Sequence, residues 1–123
     1  MTPDPRLELI EAELAAYLLT EDVSEPLHAT RTLDTEGPPS SVHAVGRARD
    51  YRTRGWPPGV AGRAAVHLSR VFSRHGQDPY ATAIYETPET HPRATGPHLH
   101  VQVPPYPTPE WVGELVAPME GPA

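Results

Sequence analysis

The residues able to do chemistry fall in two short runs. Ser41-Val42-His43-Ala44-Val45-Gly46-Arg47-Ala48-Arg49-Asp50 places a histidine and an aspartate seven positions apart, and His98-Leu99-His100 follows some fifty residues later. Two imidazoles and a carboxylate are the ligand set of an open, hydrolytic zinc site. Three protein ligands leave a fourth position for water, whose pKa the metal lowers towards ~7. In a strand, residues two apart face the same way, so His98 and His100 sit roughly 6.5–7 Å apart on one face. Leu99, Val101 and Val103 then point to the other face and can pack on helices. Asp50 at a strand start and His43 in the loop before it can converge on the histidine face. Gly46 lets the backbone turn tightly between them, and Ala48 leaves room beneath the metal.

The elements that must hold these residues can be read from periodicity. Asp4 supplies a capping side chain and Pro5 suits a first helical position. Leu7, Ile10, Leu14, Tyr17 and Leu18 recur at helical spacing, which predicts a helix over 5–19. Leu27, Ala29, Arg31 and Leu33 share one face of a predicted strand at 27–33. A short strand is expected at 48–53. Val60, Ala64, Leu68, Val71 and Phe72 form the apolar stripe of a helix over 60–75, with Gly76 as its C-cap. Strands are expected at 80–86 and 98–103, the second from strict alternation. Thr108-Pro109-Glu110-Trp111 starts a terminal helix that Pro118 stops. This order predicts an α+β fold, a small antiparallel sheet with helices packed on one face, in a single domain spanning 1–123.

Composition narrows the function. The chain has 123 residues, 17 of them proline, which mark stiff loops between short elements. It has no cysteine, which excludes disulfides and thiolate metal sites. The formal net charge of −6 argues against nucleic acid as a partner. No apolar run approaches the ~18 residues needed to span a bilayer, so no membrane insertion is expected. The N-terminus lacks a basic region followed by an apolar run, so no signal peptide is expected. A wall-acting protein of this kind would be made in the cytoplasm and reach the wall by lysis or virion delivery.

The S-x-H-x-x-G-x-A-x-D string, Ser41 to Asp50, resembles the first signature of the D-Ala-D-Ala peptidase family, the LAS-type zinc peptidases that cut bacterial cell-wall peptides. His98-x-His100 resembles the second signature in one branch of that family. The resemblance implies a LAS/Hedgehog-like zinc peptidase core, with zinc as cofactor, peptidoglycan peptide as substrate, and His43, Asp50 and His100 as ligands. His98 becomes a base or a residue behind the metal. Many relatives place an acidic base three residues before the last ligand, where this chain has Pro97. The base is therefore His98, or a carboxylate such as Glu86 or Glu89. Arg31 matches the family's early-strand arginine, which holds a substrate carboxylate or the oxyanion. Two functions follow: a D,D-carboxypeptidase or endolysin-like endopeptidase, or a phage-type structural or assembly protein that keeps the fold, in a virion or a homo-oligomer, without catalysis.

The remaining polar residues have plainer expectations. His28, His67, His75 and His91 read as surface or cap residues, with His75 at a helix C-terminus. Arg47, Arg49, Arg52 and Arg54 read as a solvated strand edge. Trp56 and Trp111 read as core or loop anchors, Trp56 with a second possible place in a substrate cleft.

Overall fold

A computed structural model describes residues 2–31, 46–92 and 94–112. Helix α1 spans Arg6–Thr20 and buries Leu7, Ile10, Leu14 and Leu18 along one stripe. Its start is the expected one. Pro5 already has helical geometry (φ −62°, ψ −20°), and the Asp4 carboxylate accepts the Arg6 backbone N–H at 2.9 Å, satisfying one of the helix's orphan donors. The Asp4 N–H donates to the Gly46 carbonyl at 2.7 Å, tying the helix start to the chain entering the second strand. Gly46 there has φ +74°, a left-handed conformation that a side chain would strain.

Four strands follow: β1 Ala29–Arg31, β2 Ala48–Arg52, β3 Ala83–Glu86 and β4 His98–Gln102. Helix α2, Val60–Val71, lies between β2 and β3 in sequence. The sheet order is β1-β2-β4-β3, and every neighbouring pair is antiparallel. The α+β expectation holds in this coarse form. A helical turn opens at 109, as expected, and is described as far as 112.

The sequence overestimates three elements. Helix α2 ends at Val71, four residues short of the expected 75, and Gly76 lies in the following turn instead of capping it. Tertiary donors take the carbonyls there: the buried Thr82 hydroxyl donates to Phe72 O at 2.6 Å and the Trp111 indole N–H to Ser73 O at 2.7 Å. Strand β3 starts at Ala83 and not at 80, because the Tyr80 N–H turns back onto the Asp78 carboxylate at 2.9 Å. Strand β1 is shorter than 27–33, starting at Ala29, and positions 32–33 lie outside the described residues.

The core lies between one face of the sheet and the two helices. Tyr51 from β2 and Leu99 and Val101 from β4, with Val103 just beyond, pack with Leu7, Ile10, Leu14, Leu68, Phe72 and Trp111. Trp111 is buried edge-on against Phe72, with ring centroids 5.2 Å apart, and Trp56 packs at the core's margin. Both tryptophans are therefore anchors. Alternation along β2 and β4 sends Ala48, Asp50, His98, His100 and Gln102 to the sheet's other face.

Leu68 is fully buried, whereas Leu19 is 62% exposed. Leu68→Ala should cost about 2–5 kcal/mol through lost contacts and a cavity, and Leu19→Ala within about 0.5 kcal/mol of nothing. Urea unfolding of the two variants measures the difference. Equal costs would show that this helix–sheet core is not the one formed.

Candidate metal and proton-transfer site

The register of β2, β4 and β3 lines up the chemistry in rows. Asp50 lies directly opposite His100, and Arg52 directly opposite His98. Across the other edge of β4, Glu86 lies opposite His98 and Ile84 opposite His100. Directly opposed residues hold their Cβ atoms about 4.5–5.5 Å apart, close enough for side chains to bond. Two neighbouring rows thus give Asp50–His100 and His98–Glu86.

The contacts form a chain. His100 Nδ1 lies 2.9 Å from Asp50 Oδ1. The second Asp50 oxygen lies 3.9 Å from His98 Nε2. His98 Nε2 lies 2.8 Å from Glu86 Oε1, and the other Glu86 oxygen lies 3.6 Å from His91 Nε2. Asp50 and His100 are buried, and His98 and Glu86 are partly open to solvent.

The network fixes which ring nitrogen carries each proton. The Gln102 amide N–H donates to the Ala81 carbonyl at 3.1 Å. Its oxygen therefore faces His100 Nε2, 3.0 Å away, and accepts a proton from it. Nδ1 is thereby turned to the Asp50 carboxylate. A ring lone pair and a carboxylate lone pair repel, so this contact calls for a proton between ring and carboxyl, or a cation bound by both atoms. In the same way His98 Nδ1–H donates to the Gly96 carbonyl at 3.0 Å, leaving Nε2 facing Glu86.

Burial disfavours the His100 cation, but hydrogen bonds to Asp50 and Gln102, with the charges of Asp50 and Glu86, outweigh it. The ring titrates above the ordinary value of 6.5.

Of the residues expected from sequence, Asp50, His98, His100 and Glu86 come together. Glu89 is exposed in the turn after β3. His43 lies outside the described residues, as does Ser41. Arg31 occupies the register position opposite Asp50. It does so because the pairing slips by one residue after Ala29↔Tyr51, which sets Arg31 against Asp50 instead of Arg49. Among the described residues, no group of three His, Asp or Glu side chains is disposed to hold a metal ion.

Two participants went unnoticed in the sequence. Gln102 shares the histidines' face by simple alternation, so position i+2 from His100 was the available signal. His91 reaches Glu86 from a loop, which no periodicity reports. The arginine run also needs correcting, since Arg49 is not solvated. It faces α1 and pairs with Glu8 at 3.0 Å and Glu11 at 3.1 Å. His75 is a surface residue as expected, but it lies beyond the end of α2 and not at its C-terminus, stacked on Tyr106 and paired with Glu110. His67 is a surface residue as expected, stacked on Tyr17 with ring centroids 4.6 Å apart.

No protein-family model, curated protein or solved structure matches this chain.

The raised His100 titration fixes a sign. In metal-free protein its stabilising contribution is complete below about pH 6.5 and is lost as pH rises through the higher native value. An NMR titration of the His100 ring in EDTA should give a midpoint above that of a free imidazole, and Asp50→Asn should lower it. A wild-type midpoint at or below the free value would show that burial prevails over the carboxylate.

Proposed function

We propose that this protein is a zinc-dependent peptidoglycan peptidase, hydrolysing an amide bond in cell-wall peptides as a D,D-carboxypeptidase or endolysin-like endopeptidase. One observation carries the reading. His100 Nδ1 and Asp50 Oδ1 face each other at 2.9 Å while Gln102 holds the ring's other nitrogen as a donor. A metal-ligating histidine typically has this arrangement, one nitrogen for the metal and the other donating to an orienting acceptor. Oxygen and nitrogen donors with no thiolate suit zinc and other divalent ions of similar geometry. The wall-peptide substrate rests on the resemblance of the two sequence signatures.

In this reading Asp50 and His100 are two ligands and His43 the third. Bound zinc would act as a Lewis acid towards the scissile carbonyl and make water acidic enough to attack near neutral pH. The chain's own groups do the rest. His98 Nε2 and Glu86 Oε1 lie 2.8 Å apart beside Asp50, and their partial exposure leaves them within reach of a substrate. The pair takes the proton of the attacking water and returns it to the leaving amine. Arg31, placed against Asp50 by the slip in β1, holds the substrate carboxylate or the oxyanion.

The second reading has its own observation. His100 Nδ1 and Asp50 Oδ1 lie 2.9 Å apart, and with His100 protonated they would form a direct ion pair of the kind a structural or assembly protein of this fold would use.

Elemental analysis after zinc exposure and desalting separates the two. The peptidase reading predicts about one zinc per wild-type chain, lost in His100→Ala and retained in His98→Ala. His98→Ala should then lower wall-peptide hydrolysis by about 10²–10⁴-fold. No retained zinc in wild type would sink the hydrolase reading and leave the ion-paired scaffold.

A further inference from the structure

At the end of the sheet away from His98, a cleft of about 850 Å³ opens between the chain entering β2, the turn after α2 and the proline-rich segment after β4. Arg47 and Arg74 line it together with Tyr80, Tyr106, Pro105 and Pro107. Its walls are largely rings, and its charged groups are two guanidiniums and the Asp78 carboxylate, with His75 beside them.

The charges there do not balance. Arg6 pairs with Asp4 at 2.8 Å and Arg74 with Asp78 at 3.1 Å. Both Asp78 oxygens are engaged, since it also accepts the Tyr106 hydroxyl at 2.8 Å and the Tyr80 N–H at 2.9 Å. Arg47 is the third guanidinium. One of its nitrogens donates to the Val103 carbonyl at 2.8 Å, and among the described residues no carboxylate pairs with it. A guanidinium has five N–H donors in a planar fork shaped for a carboxylate. Burial, and then the charges of Arg74 and Arg6, hold Arg47 below the ordinary arginine range against the smaller opposing pull of the Asp4 carboxylate. Two guanidiniums against one carboxylate in the lining leave an excess of positive charge, with Arg47 offering donors to an anion.

We propose that this cleft binds a small carboxylate joined to a flat apolar group, with the carboxylate on Arg47 and the apolar group between the tyrosine and proline rings. Proline walls are rigid before binding, so little order is lost when the ring enters. The inference does not depend on the zinc peptidase reading, although Gln102 belongs to both places. Its side chain accepts from His100 and its backbone carbonyl accepts from Arg74 at 3.2 Å.

Benzoate is the probe and benzamide its neutral counterpart, titrated by NMR into the full chain kept in EDTA so that no metal site contributes. Benzoate should produce saturable shifts of the Tyr106 and Tyr80 ring signals, with benzamide at least ~10-fold weaker, as expected for loss of a charge-assisted bond. Arg47→Gln should weaken benzoate by at least ~10-fold, and Arg47→Lys by less. Should Arg47→Gln fail to fold, Tyr80→Ala serves instead. Tyr80 is 66% exposed, so its removal should leave the fold intact and weaken both probes. No saturable response up to tens of millimolar benzoate would overturn the proposal. So would equal binding of benzamide, or unchanged binding in whichever variant folds.

Discussion

The pairing of β2 with β4 is the constraint on which the rest depends. Leu99 and Val101 must be buried against the helices, and Tyr51 and Arg49 are their partners across the ladder. A slip of one residue would turn every side chain of a strand to the opposite face, exposing the aliphatic residues and burying the imidazoles. The apolar core therefore sets the register, and the register alone puts Asp50 beside His100 and His98 beside Glu86. The geometry of the polar face needs no separate device to align it. It is inherited from the burial of the other face.

That inheritance needs support on the helix side, because β2 carries a charge there too. Arg49 sits almost wholly out of solvent, and an unpaired guanidinium in that position would be costly. Glu8 and Glu11, one helical turn apart on α1, both reach it. The Tyr51 hydroxyl donates to the same Glu11 at 2.7 Å, and burial followed by that carboxylate raises the phenol above its usual titration range. Helix α1 is thus held to β2 by charge as well as by its leucines. The strand that presents Asp50 on one side is braced through Arg49 and Tyr51 on the other.

Much of this arrangement was legible in the chain, and the reasons are local. Alternation along 98–103 separated the histidines from the aliphatic residues. Helical spacing from Leu7 to Leu18 located α1, and Gly46 marked the turn before β2. What could not be read depended on contacts between distant segments. Helix α2 stops at Val71 because Thr82 and Trp111 supply donors to its end, and neither lies nearby in sequence. The tautomer of His100 depends on how Ala81 orients the Gln102 amide. Arg49 looked like one of four exposed arginines because its partners lie on a helix some forty residues earlier. The slip in β1 that sets Arg31 against Asp50 leaves no compositional trace. His43 and its loop fall outside the described residues, so the signature spacing around it still stands as a sequence observation.

The His100–Asp50 contact joins positions 50 residues apart, and β4 occupies the middle of the sheet between two partners. Closing a loop of that length costs entropy before any cross-strand bond repays it, so topologies dominated by such pairings fold slowly compared with helical bundles. No fragment ending before residue 98 contains both halves of the polar row. During synthesis the site comes into being only after β4 has followed β2 out, so the imidazole–carboxylate pair marks completion of the sheet and not an early stage of it.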